Sequence, residues 1–245
     1  MIRLCMAILL AAATALMLPL PAQAAKVSPM ILELEPTGQD SIARVTLTNT
    51  SNRDIPYEVL MMRGIISVDG ELEMVPADDL FLVFPAQSIV ESNSQQVFRI
   101  QYVGDPGLAQ SETFYMSIRQ VPVELDPNTT QVQVVVNYNV LLNVVPEGTS
   151  PDPTVSEIEL ASQDDQTGLR LLVGNDGTRH FMAGMAKWRV TGTTVGGEAY
   201  EADYDGGQLT EYLGVGVVGP GRSRRFFIPT DGELVPDTVQ IEITP

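Results

Sequence analysis

The chain of 245 residues has one cysteine, Cys5, one histidine, His180, one tryptophan, and only two lysines, Lys26 and Lys187. So little thiol and imidazole leaves no ligand set for zinc or haem, and no metal or other cofactor is expected. A Ser-His-Asp hydrolase could be built only on His180, which follows a turn between Arg179 and Phe181 with no nucleophile-elbow pattern in the chain. The residue is therefore read as a surface or turn histidine. Basic side chains are scarce as well: 14 Lys+Arg against 31 Asp+Glu give a net charge of −17. Such a surface cannot displace counterions from phosphates, which excludes nucleic acid as a partner. There is no glycine-rich phosphate loop. Asp203-Tyr204-Asp205-Gly206-Gly207 has the outline of a calcium loop but lacks the third carboxylate and the distal Glu, so a solvated hairpin tip is expected there. Asp78-Asp79 and Asp164-Asp165 read as hydrated turns. With no convergent nucleophile, base and metal set, the chain is not expected to be an enzyme.

Long apolar runs are also missing, with one exception. Arg3 precedes an apolar stretch from Leu4 to Leu18, followed by Pro19, Pro21 and Ala22-Gln23-Ala24, which reads as a secretory signal (residues 1–24) cut after Ala24. About 15 apolar residues fall short of the roughly 20 that span a bilayer. Cleavage would remove Cys5 and Arg3, leaving 13 basic against 31 acidic residues and a net charge of −18. The mature chain would then hold no thiol, and its core alone must stabilise it.

What the rest does contain is period-two alternation. Strand candidates fall at 30–35, 42–49, 57–62, 80–84, 95–102, 114–121 and 132–145, separated by turn-forming segments such as Pro36-Thr37-Gly38, Asp69-Gly70 and Asp105-Pro106-Gly107. Seven short strands in about 120 residues indicate an immunoglobulin-like β-sandwich. Residues 147–154 hold Pro151 and Pro153 without alternation and read as a linker between domains at 25–146 and 155–245. The second domain offers candidates at 155–160, 169–173, 185–191, 198–204, 212–218, 224–228 and 239–243. The fold class is all-β, two sandwiches in tandem.

The candidate at 132–145 is two to three times the usual strand length. Val132, Val134, Val136, Tyr138, Val140, Leu142 and Val144 share one face; Gln133, Asn137, Asn139 and Asn143 lie on the other with Val135, Leu141 and Val145. A long apolar edge is an aggregation hazard unless it has work to do, and adding a strand to a partner is such work. From the residues alone, a long final core strand and a partner-facing edge remain equal readings.

The order of segments carries a resemblance. Residues 42–49 ending in Asn49, Phe84-Pro85, Val97-Phe98-Arg99-Ile100, Phe114-Tyr115-Met116-Ser117-Ile118-Arg119-Gln120-Val121-Pro122, the long strand closing at Pro146, Leu171 to Asn175, and Gly219-Pro220-Gly221-Arg222-Ser223-Arg224-Arg225-Phe226 follow the pattern of periplasmic pilus-assembly (fimbrial) chaperones over essentially the whole mature chain. In the signature around Phe114, Ser117 stands where the family usually has Asn. The resemblance implies a boomerang of two immunoglobulin-like domains in the periplasm that binds pilin-like secreted subunits by lending its long strand. The donor residues would be Val132, Val134 and Val136, with Tyr138 as an extension, and the short 123–131 segment matches the short-loop branch. An outer-membrane usher-like assembly protein would receive the subunit. Self-association through the free edge is a further expectation.

One departure stands out. The family usually holds the subunit's terminal carboxylate between its domains with an Arg on the first strand and a Lys near the end of the long strand, but Leu32 and Leu141 align there. Lys26, Arg119, Asn137 and Asn139 are the remaining candidates for that contact. The competing reading is a secreted structural or adhesive protein built from the same two sandwiches.

Overall fold

The computed structural model describes residues 25–122 and 135–245; the expected signal, the 123–131 segment, Val132 and Val134 lie outside them. In the first half, short strands run β1 (Lys26–Ser28), β2 (Ile31–Leu34), β3 (Ile42–Thr48), β4 (Ile55–Ile66), β5 (Leu72–Pro76), β6 (Phe81–Phe84), β7 (Gln87–Val90), β8 (Gln95–Tyr102), β9 (Glu112–Gln120) and β10 (Asn137–Val144). One sheet is ordered β1-β3-β8-β6; the other is β2-β10-β9-β4-β5, with β7 also on β4. Alternation decides what lies between them: Val45, Leu47, Phe98 and Ile100 from the first sheet face Met61, Phe114, Met116, Ile118, Val140, Leu142 and Val144 from the second, all fully buried. Phe81 stands edge-on to Phe114 and Tyr102, with centroids 5.0 and 5.3 Å apart, and closes one end.

The second half contains β11 (Pro153–Gln163), β12 (Gln166–Asn175), β13 (Phe181–Met182), β14 (Lys187–Thr193), β15 (Ala199–Tyr204), a helix α1 (Gly206–Leu213), β16 (Val217–Val218), β17 (Ser223–Pro229) and β18 (Gln240–Thr244). Sheets β11-β12-β17 and β15-β14-β18, with the pair β13-β16, enclose Leu169, Leu171, Val173, Trp188, Val190, Leu209, Phe226 and Ile228. The Trp188 indole N–H donates to the Ala183 carbonyl at 3.0 Å, so its polar atom is satisfied inside the core. The all-β, two-sandwich reading is thus borne out.

Several local expectations are corrected. Asp205 is a helix cap, not a hairpin tip: its Oδ1 accepts from the N–H groups of Gly207 (2.9 Å) and Gln208 (3.1 Å), and Gln208 Oε1 accepts from the Asp205 N–H. The expected strand at 212–218 is the end of α1 followed by the two-residue β16. Strands β5, β7 and β13 were not expected, and β11 begins inside the expected linker. The long strand expected at 132–145 begins at Asn137 among the described residues. His180 is not at the surface but only 3% exposed, in the joint between the sandwiches.

Two sets of contacts cross that joint. On one side the Ser111 N–H donates to the Thr178 carbonyl (2.9 Å), the His180 N–H donates to Ser111 Oγ (2.6 Å), and Arg179 pairs with Glu33 (2.6 Å). On the other, the β4–β5 turn reaches the second sandwich, where the Arg225 N–H donates to the Val68 carbonyl (2.7 Å) and the Arg225 guanidinium pairs with Asp69. Gly70 makes this turn with φ of 86°, and a Cβ there would strike the Arg224 guanidinium at 2.7 Å.

Candidate functional site

β10 changes character along its length. From Asn137 to Val144 it pairs antiparallel with β9, but β2 joins its other side, in parallel, only from Leu141 onward. Residues 137–140 therefore have an open backbone edge among the described residues. The face that buries Val140, Leu142 and Val144 completely continues toward the N-terminus into Tyr138, half-buried. Beyond Tyr138, Val136 and Val135 precede the strand, 39% and 42% exposed. Tyr138 packs against the first core and donates its hydroxyl to the Ala25 carbonyl at 2.6 Å, and burial raises its pKa. The core thus runs out at Tyr138 and Val136, beside a sheet edge that no described residue fills.

The polar candidates lie elsewhere. Asn137 pairs with Arg119 and Asn139 with Ser117, all on the outer face of the sheet, where Arg119 Nε donates to Ser117 Oγ at 3.2 Å. That end of β9 stands roughly 13–20 Å along the strand from Thr113 at the joint. Lys26 is exposed on β1 in the opposite sheet. None of the four lines the cavity between the sandwiches. The paired role aligned to Leu32 and Leu141 also fails on geometry. Leu142 is the partner of Leu32 in register, so Leu32 faces the core, while Leu141 pairs with Ile31 on the outer face.

The joint itself holds what sequence reasoning missed. A cavity of about 180 Å³ is lined by Arg63, Gly64, Ser111 and Thr113 from the first sandwich and by Val217, Arg222 and Arg224 from the second, among others. Arg63 pairs with Glu112 at 2.7 Å and stacks over Phe114, 4.8 Å from the ring centre. Arg224 lies over Phe226 at 5.0 Å and donates from Nη1 to the Val217 carbonyl at 3.3 Å; its Nε is buried with no hydrogen-bond partner among the described residues. Burial pushes the Arg224 guanidinium down from its ordinary value, and Tyr115 nearby opposes that. Neither Arg222 nor Arg224 has an ion-pair partner among the described residues. Arg222 and Arg224, with Arg63 held by Glu112 on the same wall, make this lining one suited to a carboxylate. The signal was present in the sequence: three of the 14 basic residues fall at 222, 224 and 225. Among the described residues no group of three or more His, Cys, Asp or Glu is placed to hold a metal.

No family model matches the chain, and no characterised protein matches it by sequence. Solved structures of two-domain pilus chaperones do match by fold. CfaA, a class 5 fimbriae chaperone, superposes with a TM-score of 0.54 at 13% identity, covering 91% of this chain and 99% of that one. The complex of the Salmonella enterica SafA pilin with the SafB chaperone gives 0.51 at 19% identity, covering 86% of each. The CsuC–CsuE chaperone–tip adhesion subunit complex of Acinetobacter baumannii gives 0.50 at 11% identity, covering 86% and 97%. The fold of this chain is that of the pilus chaperones: all-β, two immunoglobulin-like domains.

Proposed function

We propose that the chain is an exported, non-enzymatic chaperone of the pilus-assembly family, cut after Ala24, acting in the periplasm on pilin-like subunits and passing them to an outer-membrane usher-like protein. The observation that carries this reading is the margin of the first sandwich, where a fully buried face continues into Tyr138 and the exposed Val136 beside a strand edge that is open among the described residues. A subunit lacking its last strand would take Val132, Val134 and Val136 into its groove, with Tyr138 at the boundary. Burying a valine side chain contributes about 1.5–3 kcal/mol, so three of them with a backbone ladder make a substantial interface. The neighbours support the partner class, since solved structures of this fold include complexes with a pilin and with a tip adhesion subunit. For the subunit's terminal carboxylate, Arg63, Arg222 and Arg224 replace the absent Arg and Lys.

The test is co-expression of the mature chain with candidate subunits from the same genome, reading one-to-one complex by size exclusion. Val136→Arg places a charge on an already exposed position, so the chaperone stays folded and complex is lost. Arg222→Ala with Arg224→Ala weakens the complex while leaving the β10 edge intact. Complex that survives Val136→Arg and Val134→Arg together removes the lent-strand reading. A folded wild type that binds no subunit moves the structural or adhesive reading ahead.

A further inference from the structure

His180 is the most enclosed ionisable group at the joint, its side chain 2% exposed. Its Nδ1 stands 3.3 Å from Ser111 Oγ and its Nε2 3.3 Å from Glu33 Oε1, both belonging to the first sandwich. A neutral ring protonated on Nε2 fits these neighbours: Nε2–H donates to the Glu33 carboxylate, and Nδ1 accepts the Ser111 hydroxyl proton. A second proton would sit on Nδ1 against an oxygen that already accepts the His180 backbone N–H at 2.6 Å. It would also add charge beside the Arg179 guanidinium on a side chain that is almost wholly covered. Glu33 from β2 is the compensating charge, and Arg179 Nη2 already holds it at 2.6 Å. The remaining acids nearby, Glu35, Asp40 and Glu147, line the cavity on the Arg179 side. On its other side His180 lines a hollow with Glu33, Arg179 and uncharged side chains that include Phe181, Met182 and Met185.

We propose that the His180 ring is a latch between the two sandwiches, holding them together while neutral and releasing them when protonated. Burial, with Arg179 adding and Glu33 opposing, holds the closed imidazole below its ordinary value of 6.5. In an opened joint the ring meets water and titrates near about 6.5. The open state therefore binds the proton more tightly. The contribution of the latch is complete above about pH 6.5 and is lost as pH falls from there through the lower closed-state value.

The mature chain without Cys5 suits site-directed labelling. Spin labels at Gln95→Cys on the first sandwich and Glu198→Cys on the second, both exposed positions, report the distance between the sandwiches by dipolar spectroscopy from about pH 7.5 to about pH 5. The expected result is a longer-distance population whose ratio to the closed one rises below about pH 6.5, by no more than about tenfold per pH unit. His180→Gln, which keeps a neutral hydrogen-bonding side chain, is expected to make the distribution independent of pH. Glu33→Gln removes the charge that favours the closed imidazolium and also breaks the Arg179 pair across the joint, so it is expected to enlarge the open fraction at every pH, and most at the acid end. A parent protein without pH response, an equal response in His180→Gln, or a response abolished by Glu33→Gln alone would each overturn the proposal, the last by making Glu33 the titrating group.

Discussion

Two buried asparagines do the same work at equivalent points of the two sandwiches. Asn49 follows β3, and its amide donates to the carbonyls of Arg53 (2.8 Å) and Val90 (3.0 Å), while its Oδ1 accepts the Ser51 N–H (3.0 Å). Asn175 closes β12, donating to Arg179 (2.8 Å) and Val218 (3.1 Å) and accepting from Asp152 and Gly177 (both 3.1 Å). Each ties the turn four residues on to a strand far away in sequence. Asn49→Ala or Asn175→Ala strands several buried backbone groups at once, and a loss of about 1–3 kcal/mol per site is expected in urea unfolding. Both residues were readable from the sequence as strand-ending asparagines, but their partners were not, because those partners are backbone carbonyls. His180 was misread for a related reason: a single imidazole between Arg179 and Phe181 carries no periodicity, and its burial comes from Ser111 and Glu33, 69 and 147 residues away. Leu32 and Leu141 show the limit of position matching, since one residue of register decides whether a strand residue faces the core or the outside.

At the scale of elements, alternation located β3, β8 and β9 almost to the residue, because each has a core face and an outer face of opposite polarity. It failed where elements are too short to show a period. β13 and β16 have two residues each, and α1 has only eight. α1 depends on its ends: losing the Asp205 cap in Asp205→Ala is expected to cost about 1 kcal/mol, seen as a lowered unfolding midpoint. Gly184 beneath it admits no side chain, since a Cβ would come within 1.8 Å of the Gly214 carbonyl oxygen. Gly184→Ala is therefore expected to lower soluble yield far more than the Asp205 change. β10 separates its two roles by position. Leu142→Ala, in the finished half, is expected to cost about 2–5 kcal/mol of stability. Val136→Arg, outside it, is expected to leave the unfolding midpoint near wild type and to change only client capture.

At the scale of the whole molecule, a chain carrying net charge −17 gathers Arg63, Arg222 and Arg224 at the joint. The contacts that hold the joint are individually modest. The Arg179–Glu33 and Arg225–Asp69 pairs are each more than a third exposed, a setting in which ion pairs contribute about 0–1 kcal/mol. Asp69→Asn is accordingly expected to leave global stability almost unchanged, with the Arg225 N–H to Val68 bond still in place. These contacts suffice because of how the chain passes between the sandwiches. The Ser150 carbonyl accepts from the N–H groups of Thr178 and Arg179, and Asp152 from that of Asp176, so the connection is already part of the second sandwich by residue 150. Only residues 146–149 remain as tether, and Thr149 Oγ folds these back by donating to the Pro146 carbonyl at 2.7 Å. A tether that short keeps each partner surface in front of the other at an effective concentration on the order of millimolar, so weak contacts close an intramolecular equilibrium that they could not close between separate molecules. Gly-Ser residues inserted at Gly148 would dilute one sandwich in the neighbourhood of the other while leaving every contact chemically intact.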